Sequence, residues 1–145
     1  MNMGILKKYW LFLIVVVGIL LVLLLYFIVG GKTRLGHEFS LSIGSPVSID
    51  GEELRLTFQD VPQDNRCPTG AMCITEGAVV CLLEVKSDES IYNIELAQPG
   101  LYYDYSHETF GGYYYRFIVE PYPEVDKEIT EGDYRLLLTL HKVEE

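Results

Sequence analysis

The chain has 145 residues, enough for one domain and one additional segment, and its formal net charge is −10. All 21 acidic residues follow Arg34, together with only seven of the eleven basic residues, so this region has a formal charge of −14 (7 positive against 21 negative). Phosphate backbones and anionic lipid headgroups repel such a region, and the composition therefore excludes a nucleic-acid-binding protein.

An uncharged apolar segment over residues 9–29 predicts a membrane anchor. A helix of this length spans roughly 30 Å, the thickness of the hydrocarbon core of a bilayer. A cleaved signal peptide has a shorter apolar core and a small-residue cleavage site, so we predict an uncleaved signal anchor, a single-pass transmembrane helix. Lys7 and Lys8 precede the segment, and Lys32 and Arg34 follow it, so the flanking charges do not set the orientation.

After the anchor, apolar and polar residues alternate in short runs, which is typical of half-buried strands. The runs cover residues 39–43, 47–49, 54–59, 78–86, 91–96, 113–119 and 134–140, with a further short edge strand suggested at 102–105. Asp50 and Gly51 predict a hairpin turn, and Pro121 and Pro123 predict an irregular crossing. Seven or eight strands predict an all-β fold, either an antiparallel Ig-like β-sandwich or a small barrel.

These patterns divide the chain into four parts. We predict a short N-terminal tail over residues 1–8, the transmembrane anchor over 9–29, a short tether over 30–37 and an extracytoplasmic β-domain over 38–145. The membrane is thus the first expected partner of the chain.

Two of the three cysteines, Cys67 and Cys73, lie in one polar loop and favour a disulfide. Residues 68–70, Pro-Thr-Gly, can turn the chain so that the two cysteines meet. A zinc site would need further close ligands, a copper(I) site would have to use Met72, and a redox pair would have the spacing C-x-x-C. Cys81 lies in an apolar strand and is expected in the core, although its pairing with a loop cysteine remains an alternative. Disulfides persist in oxidising compartments, which favours a β-domain outside the cytoplasm.

The loop also carries a motif. Residues 58–61 (Phe-Gln-Asp-Val) and 64–68 (Asp-Asn-Arg-Cys-Pro), followed by Cys73 and Gly77, resemble a D-S-R-C-P-x4-C-x3-G motif of small secreted or membrane-tethered prokaryotic β-domains. Residues 112–113, 121–123 and 133–134 are similar to the C-terminal half of the same family. This chain has Asn65 where the family has serine and Thr75 where it has tryptophan. The resemblance implies a fold and an export route, and it implies no activity.

Two charged residues and a proline near the cysteines are expected to stabilise the loop. Arg66 can form a bidentate ion pair with a nearby carboxylate, either Asp60 or Asp64. Pro68 restricts the turn between the cysteines. We therefore expect Asp64, Arg66 and Pro68 to fix the loop, and the alternative is that Arg66 contacts an anionic partner.

Tyrosines cluster in two short stretches, at residues 102–105 and 113–115. Because neighbouring residues of a strand face opposite sides, Tyr114 and one of residues 102 and 103 are expected in the core. Tyr105, Tyr113 and Tyr115 are then expected on the surface, as a candidate binding surface for a protein or glycan partner.

No motif of catalysis is present in the sequence. Ser106, His107 and Glu108 are consecutive, so their side chains diverge, and the pairs 52/53 and 104/108 fit surface charges. The acidic residues 124, 126 and 128 do not form a calcium-loop motif. We predict no enzyme, no cofactor and no metal, and a membrane-anchored binding module of unknown ligand. The alternatives are an accessory subunit of an envelope complex and, less favoured, a small hydrolase or metal-binding domain.

Overall fold

A computed structural model describes residues 3–29, 31–88, 90–100 and 104–143, with side chains in the N-terminal helix from residue 9 to residue 25. The chain divides into two compact units, one up to Gly30 and one from Gly31 onward. The first unit is a helix and the second is built of strands.

Helix α1 spans Met3–Val29, and no charged residue interrupts its sequence from residue 9 to residue 29. The large apolar side chains between Tyr9 and Leu25 are exposed, apart from a half-buried Val16. Within the described part of the chain, no helix is both long and apolar enough to cross a membrane. The transmembrane anchor expected over residues 9–29 is therefore not confirmed and stays a prediction.

Nine strands form the second unit within the described residues. They are β1 Gly31–Thr33, β2 Glu38–Ser42, β3 Pro46–Ile49, β4 Leu54–Asp64, β5 Ala78–Ser87, β6 Ile91–Pro99, β7 Ser106–Phe110, β8 Tyr113–Glu120 and β9 Arg135–Lys142. A single turn of 3₁₀ helix, Glu131–Asp133, precedes the last strand. The predicted hairpin turn at Asp50 and Gly51 is present, because β3 and β4 pair antiparallel on either side of it.

The strands form two separate sheets. The first has the order β1-β3-β4-β5-β6, and the second has the order β2-β9-β8-β7. The sheets do not close, so the barrel alternative is wrong. The immunoglobulin order is also not found, because β3 to β6 follow one another as neighbours in one sheet, whereas the third strand of an immunoglobulin domain passes to the other sheet.

One hydrophobic core lies between the two sheets. Its buried residues come from the first sheet, such as Leu56, Phe58 and Leu83, and from the second, such as Phe117 and Leu138. The strands bury alternate residues, as in the burial pattern of β4 and β5, because successive side chains point to opposite faces. The coarse prediction of an all-β fold with two packed sheets is therefore confirmed.

Two strands differ from the sequence prediction. Residues 31–33, expected in a tether, form β1, which pairs in parallel with β3. Residues 106–110, for which the sequence predicted no strand, form β7, which joins β8 through a tight turn at Gly111 and Gly112. Both glycines have positive φ, 58° and 78°, as a two-residue hairpin turn requires. Of the edge strand suggested at 102–105, residues 102 and 103 lie outside the described residues, and the rest is not strand.

Candidate functional site

The disulfide between Cys67 and Cys73 closes the loop that joins β4 to β5. The two Cα atoms are 5.9 Å apart, which confirms the predicted bond. The carbonyl of Pro68 accepts a hydrogen bond from the N–H of Ala71, so the expected turn lies inside the closed ring. Cys81 is a free thiol buried in the core, and burial raises its pKa to about 12. Its pairing with a loop cysteine is therefore excluded.

Arg66 fixes the base of this loop from a fully buried position. Its Nε donates to Oδ1 of Asp64 at 2.8 Å, and its Nη2 donates to Oδ2 at 2.6 Å, which is the bidentate pair expected from the sequence. Asp60, the other expected carboxylate, instead accepts the N–H of its neighbour Val61. Arg66 also donates to two carbonyl oxygens of a distant segment, those of Val119 and Pro121, each at 2.9 Å.

Arg66 and Gln98 bind the backbone at the end of β8. The ladder between β7 and β8 ends at the pair of Ser106 and Phe117, so among the described residues the last part of β8 has no strand neighbour on that side. The carbonyl of Val119 is satisfied by Arg66, and its N–H donates to Oε1 of the buried Gln98 at 2.8 Å. Since unpaired backbone groups in the interior are costly, the two side chains act as a substitute for strand pairing.

Two tyrosines complete the surroundings of the ion pair. The hydroxyl of Tyr134 donates to Oδ2 of Asp64 at 3.1 Å. Burial, followed by the charge of Asp64, raises the pKa of Tyr134 to about 12, so this donor stays protonated at neutral pH. The guanidinium of Arg66 lies over the ring of Tyr122, 5.0 Å from its centroid, and the hydroxyl of Tyr122 donates to the carbonyl of Gly100.

The two arms of the loop approach each other closely. The N–H of Cys67 donates to the carbonyl of Glu76 at 3.1 Å, and Oδ1 of Asn65 accepts the N–H of Ala78 at 2.7 Å. A Cβ placed on Gly77 would lie 1.9 Å from the carbonyl oxygen of Asn65, so the close approach requires glycine. Asn65, which departs from the resembling motif, is thus part of the loop scaffold.

Residues 72–74 form an exposed segment of the loop with two apolar side chains, and we call this segment the tip of the loop. The side chains of Met72 and Ile74, on either side of Cys73, are fully exposed to solvent. The beginning of the loop is held by a second contact, because Thr69 exchanges backbone hydrogen bonds with Pro123 and Val125. Two bare apolar side chains are therefore presented by a loop that is tied at the disulfide, at Arg66 and at Thr69.

The predicted tyrosine surface does not form. Tyr115 is fully buried in the core, so its assignment to the surface is wrong. Tyr113 lies on the same face of β8 at one end of the sandwich, where its hydroxyl donates to Oε2 of Glu52 at 2.7 Å. Tyr105 lies over the guanidinium of Arg116, with 3.6 Å between the guanidinium carbon and the ring centroid, and its hydroxyl donates to Glu38.

The residue assigned to the core instead, Tyr114, is half-buried on the outer face of the second sheet. It stacks on His107, with ring centroids 5.6 Å apart, and contacts His141 on the other side. The prediction therefore assigned the wrong face of β8 to the core, since neighbouring residues of a strand point to opposite faces.

The candidate catalytic and metal-binding residues stay dispersed. Ser106, His107 and Glu108 are consecutive in β7, so the middle side chain lies on the opposite face from the other two. Glu124 forms an exposed ion pair with Lys127 at 3.2 Å. Among the residues that the structure describes, no group of three or more histidine, cysteine or acidic side chains is placed to hold a metal ion.

Comparison with known proteins gives no relative. No protein-family model matches the chain, and neither the curated proteins nor the solved structures contain a significant match. The resemblance to the D-S-R-C-P motif therefore stays a prediction.

Sequence reasoning did not identify Gln98 as part of the scaffold. The signal was present, because Ile94, Leu96 and Gln98 follow at intervals of two on the buried face of β6. A glutamine on that face must find a partner, since a buried polar group without a hydrogen bond is unfavourable.

Proposed function

We propose that this protein is a binding module that contacts another protein through the tip of its disulfide-closed loop. The observation that supports the proposal is the full exposure of Met72 and Ile74 on a loop tied at three places. Exposed apolar side chains grouped at one place are typical of interaction sites, and methionine adapts to irregular partner surfaces.

The scaffold beneath the loop supports the same function. A flexible loop loses conformational entropy when it binds, and a pre-organised loop loses much less. The disulfide and the buried Arg66–Asp64 pair order the loop before any partner arrives. The proposed contact is therefore a small rigid apolar tip that fits an apolar pocket of the partner.

Site-specific crosslinking of the intact chain in its native membranes tests this function. A photoreactive amino acid replaces Met72, and we expect an adduct with one protein after illumination. The same amino acid at position 91 is the matched control, since Ile91 is also an exposed apolar residue, 60% accessible, but lies in β6.

The adduct at position 72 must depend on the neighbouring apolar residue. We expect I74D to abolish it, because a carboxylate cannot enter an apolar pocket without losing its hydration. Equal adducts at positions 72 and 91, an adduct with lipid alone, or an adduct that persists in I74D would each contradict the proposal.

We further propose that helix α1 anchors the module at a membrane, with the β-domain outside the cytoplasm. Two observations support this localisation. The helix is apolar on every side between residues 9 and 25, with large side chains 50–71% exposed, a pattern that is unfavourable in water. The chain also carries a disulfide, and disulfides persist in oxidising compartments.

Thiol labelling in sealed membrane vesicles checks the location. With an impermeant alkylating reagent outside, we expect no labelling before reduction, and labelling of both Cys67 and Cys73 after it. Cys81 is an internal control, since its burial and raised pKa should delay labelling until the protein unfolds. Labelling of the loop cysteines only after the vesicles are opened would place the domain on the other side.

A further inference from the structure

An open cleft lies at one end of the sandwich, where three hairpins converge. Its volume is about 700 Å³, and its walls come from the turns β3–β4, β5–β6 and β7–β8. Carboxylates of Glu52, Glu53 and Asp88 line it together with aromatic rings. From the sequence, Glu52 and Glu53 were interpreted as ordinary surface charges, but the fold places them around a concave site.

One residue that lines this cleft, Tyr115, carries a buried polar group without a partner among the described residues. Tyr115 lines the cleft with its side chain fully buried, and among the described residues its hydroxyl has no hydrogen-bond partner. Nearly all buried hydroxyl groups are hydrogen-bonded in folded proteins, so this one calls for a ligand or a water molecule. Burial raises the pKa of Tyr115 to about 12, so the hydroxyl is neutral at physiological pH and can accept a hydrogen bond as well as donate one.

The remaining walls favour a cation. Three carboxylates focus negative potential in the cleft, and an anionic ligand would be repelled. The rings of Tyr92 and Phe110 meet edge to face with centroids 5.5 Å apart, and aromatic surface of this kind attracts cations. Acceptor groups therefore dominate the cleft, which suits a ligand that only donates hydrogen bonds.

One carboxylate of the cleft, that of Glu52, already binds an alkylammonium group of the protein, that of Lys142. Nζ of Lys142 lies 3.0 Å from Oε1 and 3.2 Å from Oε2 of Glu52. The same carboxylate accepts the hydroxyl of Tyr113, and this hydrogen bond, followed by that of Lys142, lowers the pKa of Glu52. The carboxylate therefore stays ionised, and the exposed carboxylates of Glu53 and Asp88 add negative charge to the cleft wall.

From these contacts we propose that the cleft binds a primary alkylammonium group, with the carboxylates of Glu53 and Asp88 and the hydroxyl of Tyr115 as its acceptors. An ammonium has three N–H donors and no acceptor, which matches this set. A free diamine and the lysine side chain of a polypeptide share this chemistry. The proposal is independent of the protein contact at the disulfide loop, because the cleft lies among other turns of the fold.

The test is an NMR titration of the intact chain in detergent micelles, observed on labelled tyrosine rings. The probes are 1,5-diaminopentane, as a free amine, and N-acetyl-lysine methylamide, as a lysine side chain. We expect saturable chemical-shift changes in the rings of Tyr92, Tyr113 and Tyr115 with at least one probe. The ratio of the affinities for the two probes identifies the source of the bound amine. The acetylated lysine derivative, which lacks the charge, should give no shifts.

Variants separate a specific site from general attraction to an acidic protein. E53Q and D88N should each weaken binding by about tenfold, the scale of one charge-assisted hydrogen bond. E95Q removes the same charge from an exposed position of β6 outside the cleft and should leave the affinity unchanged. Equal losses in all three variants would show only non-specific attraction and would overturn the proposal.

Tyr115 supplies the sharpest variant. Y115F removes a hydroxyl that has no partner among the described residues, so we expect unchanged stability but several-fold weaker binding of the amine. If Y115F binds the probe as tightly as the native chain does, the hydroxyl is hydrated by water alone and the proposal fails. It fails equally if a neutral disaccharide shifts the same rings and the amines do not.

Discussion

Replacement of Arg66 by methionine is expected to lower the free energy of unfolding by about 3 to 5 kcal/mol, the usual cost of removing one partner of a buried ion pair. The side chain of Asp64 is only 9% exposed, so its charge would lose its main partner in a poorly hydrated place. The carbonyls of Val119 and Pro121 would lose their donors as well. The measurement is the midpoint of chemical denaturation of the intact chain.

An exposed ion pair of the same chain is the matched control. Arg34 and Asp50 lie 3.5 Å apart with side chains 75% and 54% exposed, and R34M should cost less than about 1 kcal/mol. The double variant R66M/D64N should be more stable than R66M, by on the order of 1 kcal/mol, because it leaves no uncompensated charge. Similar losses for R66M and R34M would show that the buried pair does not hold the fold together.

If R66M does not fold, the contribution of the Arg66 contacts to stability can be measured with R66K. Lysine retains the charge but has a single ammonium in place of the planar fork, so it cannot serve Asp64 and two carbonyls in the same geometry. We expect a stability between those of the native chain and R66M. A native-like R66K would mean that charge alone, without the fork, is sufficient.

The sequence predicted only part of the role of Arg66. Its pairing with Asp64 follows from a separation of two residues, and Asp64 is one of the two carboxylates that lie near it in the sequence. The carbonyls that it also binds lie 53 and 55 residues further along the chain. The carbonyl of Val119 needs a donor because β7 begins at Ser106, so that within the described part of the chain the end of β8 has no strand partner on that side. No local pattern encodes where a neighbouring strand begins.

Strand β8 shows a different reason why the sequence prediction was incomplete. The sequence located it correctly, but three consecutive tyrosines give no alternation of polarity from which to choose the buried face. The deciding residues follow the tyrosines, since Phe117 and Val119 share a face with Tyr115, whereas Arg116 and Glu120 share one with Tyr114. The polarity of these four residues would have assigned Tyr115 to the core and excluded it from the candidate binding surface.

The candidate sites depend on contacts that a linear pattern does not contain. The disulfide was predictable, because loop composition and cysteine spacing are local. The acidic cleft was not, since it brings Glu53, Asp88 and Tyr115 together from three separate hairpins. In the same way, β1 was missed because three residues carry too little periodicity, and its pairing with β3 is a tertiary contact.

Gly77 is the second position where a single change should have a large effect. With φ at +68°, it adopts a backbone conformation that costs other residues about 1 to 2 kcal/mol. An added Cβ would also lie 1.9 Å from the backbone oxygen of Asn65, so the two arms of the loop would have to separate. Together with the usual cost of overpacking, we expect G77A to lower the free energy of unfolding by about 2 to 5 kcal/mol.

A second glycine separates the two causes. Gly44 has a similar φ of +77°, but a Cβ on it would have nothing within 4 Å, so G44A should show only the conformational cost of about 1 to 2 kcal/mol. Thermal unfolding of the two variants measures the difference, which is the contribution of the close approach between Gly77 and Asn65. Because that approach joins the two arms of the loop that carries Met72 and Ile74, we expect G77A to weaken the crosslink at position 72 at temperatures where the domain is still folded. Equal unfolding temperatures for G77A and G44A would mean that the arms of the loop separate without cost, and that the tip is not held rigidly.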